Sequence, residues 1–388
     1  MKTLLTMPKL KQLFNSIVFF LAFCASSSAD TTQPAEAKAL IEELGLRAAA
    51  TPVANDPDWR PEKIAVLLLP FPGITGNKFK QALQKAAGDT EVTFFAPGDG
   101  EKAQQQILES ADGLIGLCTP IVLKQAGENL RWIHNYFVGM DLCKGYSEKQ
   151  LDTITFTNTK RLSGPAIAEH TIAMLLALTR DLPAYVQAQN ERRFQRIPQG
   201  GMKFGELKNQ TMLVVGLGGI GTEIARRAHG LGMRVIATRR SSREGPDFVE
   251  RVGLSNELYD MAAEADVIAN ALPLTSETAG IFNRDFFEMT KRGAIFLSVG
   301  RGKSTVTADL VNALESGQLG AAGLDVTDPE PLPKSSPLWD MPNVIITPHV
   351  AAASADSFRR GQIIAVENLR RFATGIPLLN EVDLSKGY

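Results

Sequence analysis

An apolar stretch, Met212 to Val215, runs directly into Gly216-Leu217-Gly218-Gly219-Ile220-Gly221, and a helical pattern follows from Thr222 to His229. Strand, glycine turn and helix in this order leave the chain few folds to choose from. Gly216 allows a tight turn, Gly218 lets the backbone approach a bound group, and Gly221 lets helix and strand pack closely. The free amides and dipole at the helix N-terminus favour an anion. A lone G-x-G-x-x-G is a weak signal. Here a strand precedes it, and a helix and a further strand follow, which is the setting of dinucleotide binding rather than of an ordinary glycine-rich turn.

The further strand ends Val235-Ile236-Ala237-Thr238-Arg239-Arg240. An acidic residue at this strand end bonds the ribose 2′-hydroxyl of NAD. Arg239 and Arg240 offer guanidinium groups that suit a 2′-phosphate. The sequence therefore favours NADP (NADPH) over NAD, against the plainer reading of two solvated surface arginines.

Other apolar runs place strands at Ile64 to Leu69, Gly113 to Leu117 and Trp132 to Tyr136. A later series lies at Val267 to Ala271, Ala294 to Ser298, Gly323 to Val326 and Val344 to Thr347. Uninterrupted runs suit strands buried on both faces, and their alternation with helical stretches implies α/β architecture with parallel sheets. One long helix is expected from Pro165 toward Phe194, and a last one from Ser354 to Phe372. The 388 residues suffice for two domains. A net charge of -1 without any long basic block gives no reason to expect a nucleic-acid surface or a membrane-binding patch, and no metal site is expected.

The N-terminus stands apart. Lys2, Lys9 and Lys11 precede the apolar run Ile17 to Ala25, and small residues follow to Ala29. This reads as a secretory signal peptide over residues 1–29, too short to span a bilayer. The expected location is exported, periplasmic or secreted, or cytoplasmic if the leader does not function. Residues 30–60 read as an N-terminal extension with a helical pattern from Ala35 to Leu46. Cys118 and Cys143 remain after cleavage. They could join in an oxidising compartment, but two small buried thiols is the preferred reading.

The chain has four histidines. His134 falls within a strand, as a satisfied core group, and His170 and His229 fall within helical stretches, as structural or surface residues. His349, in Thr347-Pro348-His349, directly follows a strand. Ligands of open parallel sheets bind beyond the carboxyl ends of the strands. Two more strand ends lead to Arg301, in Val299-Gly300-Arg301-Gly302, and to Glu330, in the stretch Asp325 to Pro331. Reduction of a 2-oxo acid needs a cation for the carboxylate, a hydride, and an acid for the forming alkoxide. Arg301 fits the first, NADPH the second, and His349, supported by the Glu330 carboxylate, the third. Taken singly each residue is a surface ion-pair partner; their common placement at strand ends speaks for a catalytic set.

With these residues in place, the chain resembles the D-isomer-specific 2-hydroxyacid dehydrogenase family from about Ile64 onward. The motifs are Gly216 to Gly221, Leu272-Pro273-Leu274-Thr275, Ser298-Val299-Gly300-Arg301-Gly302, Gly323-Leu324-Asp325-Val326 with Glu330-Pro331, and Thr347-Pro348-His349. The resemblance implies a two-lobed α/β fold with the active site in a cleft. A Rossmann cofactor-binding domain (164–353) would be inserted in a flavodoxin-like substrate domain (61–163 and 354–388). It assigns Arg301 to the substrate, Glu330 and His349 to an acid–histidine pair, and Asp325 to the neighbourhood of the nicotinamide carboxamide. Pro273, Val299, Gly300 and Ala351 join the cofactor site. The backbone amides of Val138 and Gly139 would hold the substrate carboxylate, and a homodimer is implied. Arg239 departs from the acidic pattern, as in NADPH-preferring reductases of glyoxylate and hydroxypyruvate. Arg161 to Pro165 lacks a tyrosine that some lactate dehydrogenases carry, which leaves substrate size open. A dinucleotide-sensing binding protein that kept the fold is the alternative from another functional class.

Overall fold

The computed structural model describes residues 34–54, 59–70, 76–194, 196 and 205–384, so the expected leader at 1–29 lies outside the described residues. The chain divides into two compact units, one formed up to Leu162 and again from Ser354 onward, the other spanning Ser163–Ala353.

The first unit has five strands: β1 (Lys63–Leu67), β2 (Glu91–Phe95), β3 (Gly113–Gly116), β4 (Trp132–Asn135) and β5 (Thr155–Thr157). They pair in parallel in the order β2-β1-β3-β4-β5, which is the flavodoxin-like winding. β3 and β4 are buried at every position, and this is why they read as strands in the sequence. β2 and β5 gave no such signal: β2 is an edge strand buried only at Phe95, and β5 has three residues. Trp132 is fully buried and stacks on Phe372 of the helix Ala355–Ala373, with ring centroids 5.0 Å apart. Removing rings of this size from water contributes about 2–3 kcal/mol each. The helix Pro34–Leu44 lies within the expected N-terminal extension. It buries Ala37 and Leu40 against Leu162, Ile363 and Ile364, and so belongs to this unit's packing.

Two expectations are corrected here. Cys118 and Cys143 are joined as a disulfide rather than standing as two thiols, with Cα atoms 4.7 Å apart. Each follows one of two neighbouring strands, β3 and β4, and the Asn135 side chain accepts the Cys118 amide at 3.2 Å, which brings the loops together. His134 is a core residue but only half satisfied. Its Nδ1 meets Thr157 Oγ1 at 2.9 Å, while Nε2 has no hydrogen-bonding partner among the described residues. Burial pushes its pKa down to about 3, so the ring is neutral.

The second unit has seven strands: β6 (Thr211–Val215), β7 (Arg234–Arg239), β8 (Arg251–Leu254), β9 (Val267–Asn270), β10 (Ala294–Ser298), β11 (Leu319–Leu324) and β12 (Val344–Ile346). All pair in parallel, in the order β12-β11-β10-β9-β6-β7-β8. This is a Rossmann sheet with one added strand. The single long helix expected from Pro165 toward Phe194 is instead two, Gly164–Thr179 and Leu182–Asn190, hinged at Asp181 with φ +51°. Pro183 is the cause: it has no amide to bond the preceding turn, and its ring crowds the carbonyl four residues back. Among the described residues no helix is long and apolar enough to cross a membrane.

Candidate active site

β6 is the switch point of its sheet, with β7 on one side and β9 on the other. Ligands bind beyond the carboxyl ends at such a point. Gly216 leaves β6 with φ +96°, a backbone state that glycine adopts without steric cost. A Cβ on Gly221 would lie 2.1 Å from Gly216 O, so helix and turn touch backbone to backbone. Gly218 differs: nothing lies within 4 Å of where its Cβ would be, and it caps the helix Gly219–Gly230. An open cradle at the start of a twelve-residue helix fits a pyrophosphate. Arg239 closes β7 and donates from one guanidinium nitrogen to Glu244 O at 2.7 Å, which folds the following loop beneath it, and Arg240 is exposed beside it.

Arg301 sits in the loop after β10, and a residue that sequence reasoning missed orders that loop. Asn270, the last residue of β9, is 0% exposed. Its amide donates to Ser298 Oγ at 3.0 Å and to Ser304 Oγ at 2.8 Å, and its oxygen accepts the Leu272 amide at 3.1 Å. Ser304 Oγ in turn donates to Arg301 O at 2.6 Å. One buried side chain thus ties the loops after β9 and β10 together. The only trace in the sequence is a polar residue near the end of an apolar run. Gly302 then presses on the next loop, since a Cβ there would lie 1.8 Å from Thr327 O.

That next loop carries Glu330. Its Oε1 accepts the Thr327 amide at 3.0 Å, and its Oε2 lies 3.0 Å from His349 Nδ1. Burial works to raise the Glu330 pKa. The hydrogen bond and charge of His349, the Thr327 amide and the charge of Arg301 outweigh it and hold the carboxyl below its ordinary value. Glu330 therefore feels the charges of both His349 and Arg301, while the two side chains of the Glu330–His349 pair stay open to solvent at 40% and 46%. Among the described residues no cluster of three or more His, Cys, Asp or Glu is arranged to hold a metal ion.

His349 occupies a left-handed backbone position, φ +56°. Asp325 holds it there. The Asp325 carbonyl accepts the His349 amide at 2.8 Å, and its carboxylate accepts Thr347 Oγ1 at 2.7 Å and the amides of Val350 and Ala351 at 2.9 and 3.0 Å. Asp325 is 3% exposed. In the other unit, the carbonyls of the segment bearing Val138 and Gly139 are taken by side chains. Asn158 donates to Val138 O at 2.6 Å, and Asn135 to Phe137 O and Gly139 O at 2.9 and 3.1 Å.

Comparison with known proteins agrees with this geometry. Residues 172–351 match the family model described as D-isomer specific 2-hydroxyacid dehydrogenase, NAD binding domain. A mouse glyoxylate reductase/hydroxypyruvate reductase is 35% identical over 316 residues, covering 79% of this chain and 94% of the mouse protein. An NADPH-dependent glyoxylate/hydroxypyruvate reductase of Sinorhizobium meliloti, solved with NADP and sulfate, superposes with a TM-score of 0.69 at 28% identity, over 84% of this chain and all of that one. A Xanthobacter autotrophicus D-isomer specific 2-hydroxyacid dehydrogenase, solved with NADPH and MES, gives 0.69 at 27% identity, over 85% of this chain and 100% of its own length. The similarity to the mouse protein runs through nearly its whole length, beyond the cofactor-binding unit alone, and places this chain in the D-isomer specific 2-hydroxyacid dehydrogenase family.

Proposed function

We propose that the protein is an NADPH-dependent reductase that converts small 2-oxo acids to D-2-hydroxy acids. The observation that carries this reading is the His349–Glu330 pair, electrostatically linked to Arg301 on the same sheet edge as the glycine loop. A bound nicotinamide supplies the hydride for the carbonyl carbon. Arg301 neutralises and orients the substrate carboxylate. His349 gives a proton to the oxygen as negative charge develops there, and Glu330 keeps the ring oriented through Nδ1. Gly218 to Gly221 cradle the cofactor phosphates, and Arg239 with Arg240 takes the 2′-phosphate. Pro273, Val299, Gly300, Asp325 and Ala351 complete the surroundings of the cofactor. The S. meliloti relative, solved with NADP, supports the cofactor assignment, and the mouse relative supports glyoxylate and hydroxypyruvate as the first substrates to try.

Two further assignments belong to this reading. The Cys118–Cys143 disulfide supports an oxidising compartment, in keeping with an exported protein. The exposed Leu176, Leu182 and Val186, on consecutive helices of the cofactor unit, support a homodimer. The deciding experiment follows nicotinamide absorbance with the purified protein, offering NADPH and NADH separately with glyoxylate, hydroxypyruvate, pyruvate and a branched 2-oxo acid. Oxidation of NADPH by one of them supports the reading. NADPH binding without turnover of any would transfer the weight to a sensing protein.

A further inference from the structure

We infer that His170, which the mechanism above does not use, is a positioning residue for the proton donor, acting on His349 through Thr347 and Asp325. The inference rests on the proposed reduction and adds a residue to it. His170 lies on the helix Gly164–Thr179, and its Nε2 is 2.9 Å from Thr347 Oγ1. The same hydroxyl is 2.7 Å from Asp325 Oδ1. Hydrogen bookkeeping fixes the direction. Thr347 has one hydroxyl proton, and the Asp325 carboxylate only accepts, so that proton lies toward Asp325. The Thr347 oxygen is then the acceptor for His170, and His170 must carry hydrogen on Nε2. Its Nε2 is also 3.7 Å from Asp325 Oδ1, close enough for a charged ring to add direct attraction.

What this chain holds is the turn bearing His349. A non-glycine residue in the left-handed region is strained relative to ordinary backbone, and His349 is such a residue. The donors that compensate are the amides of His349, Val350 and Ala351, all received by Asp325. The Asp325 carboxylate can receive the Val350 and Ala351 amides only while it stays in place, and Thr347, bonded in turn to His170, ties it there through Oδ1. His170 thus sets the position of a catalytic ring that it does not touch, from a helix that contributes nothing else to the chemistry.

The test uses the full-length protein with three variants. His170→Phe keeps an aromatic ring but removes the donor. His170→Gln places an amide N–H near the Nε2 position. Thr347→Val breaks the chain at its middle. With NADPH and the best 2-oxo acid, His170→Phe should lose about tenfold to a hundredfold in kcat, as a misplaced catalytic group does, with the NADPH dissociation constant and thermal midpoint little changed. His170→Gln should recover most of the loss. The double variant His170→Phe/Thr347→Val should be no worse than Thr347→Val alone, because the two residues act in one chain. A second readout is independent of turnover: nitrogen-15 imidazole spectra, in which four histidines give four assignable rings. They should show His170 protonated on Nε2, and the His349 ring signals should move in His170→Phe. Unchanged kcat in His170→Phe, or a loss that His170→Gln does not repair, overturns the inference. If the wild type turns over none of the acids, the proposed reaction fails, and the spectra alone decide: His349 signals unaffected by His170→Phe overturn the inference there too.

Discussion

His349 meets Glu330 through Nδ1, 3.0 Å from Oε2, which leaves Nε2 as the nitrogen that can pass a proton to substrate. Replacing His349 with Asn should lower kcat by about a hundredfold or more, the usual scale of a lost general acid. NADPH binding, followed by fluorescence titration, should stay within a few-fold of the wild type. Turnover surviving intact in this variant would rule the mechanism out.

Arg239 should set the choice between cofactors. Arg239→Asp puts a carboxylate where a 2′-phosphate is expected, and a well-placed charge-assisted hydrogen bond to such a group contributes about 1.5–3 kcal/mol. KM for NADPH should rise by about tenfold or more, and KM for NADH should stay level or fall. Equal weakening of both cofactors would show that Arg239 serves the loop it bonds, through Glu244 O, rather than the phosphate.

The Glu330 carboxyl sits below its ordinary pKa in the folded protein. The folded state therefore binds the proton less readily than the unfolded chain, and the resulting stability is fully present above the ordinary carboxylate pKa and lost as pH falls through the folded value. The pair is half open to solvent, so the effect is small, under about 1 kcal/mol. Denaturant midpoints of wild type and Glu330→Gln should differ at neutral pH and converge as pH falls through the lowered folded-state value. A gap that does not change with pH would mean that the carboxylate charge contributes nothing to the fold.

His134 gives a larger acid effect from the other unit. Its pKa falls from 6.5 to about 3 on burial. The neutral ring's contribution is complete above 6.5 and is lost as pH drops toward 3, because the unfolded chain takes up a proton that the folded core resists. The slope can reach about 1.4 kcal/mol per pH unit. His134→Asn should melt earlier than wild type at neutral pH and lose less between about pH 6 and pH 4.5. Parallel loss in the two proteins would assign the acid sensitivity elsewhere.

Asn270→Ala should cost about 2–4 kcal/mol, since two buried serine hydroxyls and the Leu272 amide lose their partner. Because Ser304 anchors Arg301 O, KM for the 2-oxo acid should rise more than KM for NADPH. An equal rise in both would show a general loosening of the sheet edge rather than a role in placing Arg301.

Much of the site could be read from the sequence because its residues sit where periodicity changes. Gly216, Arg301 and Glu330 each follow a buried strand and His349 a half-buried one, and all four strands announce themselves as apolar runs. The strands that escaped were those without such a run: Glu91–Phe95 at an edge, Thr155–Thr157 at three residues, and Arg251–Leu254 with an exposed first residue. The helix break at Asp181 was within reach through Pro183, but the apolar pattern on both sides masked it. The bonding roles of Asn270, His170 and the Thr347 hydroxyl could not be read. A side chain whose bonds reach across to other loops leaves no local periodicity, and each of these polar residues looks incidental until the strand ends are side by side. The disulfide escaped for the same reason, because Cys118 and Cys143 become neighbours only when β3 and β4 pair.

Trp132 stacks on Phe372, and those two residues belong to opposite ends of one unit's sequence. This has a consequence for the order in which the molecule can be assembled. The cofactor unit is one unbroken stretch and holds all its strands once Ala353 has emerged. The other unit cannot close its core at that stage, because the helix Ala355–Ala373 still has to arrive with Leu369 and Phe372. A chain that stopped near residue 353 would carry a complete nucleotide fold beside an open sheet whose Trp132 has lost its cover.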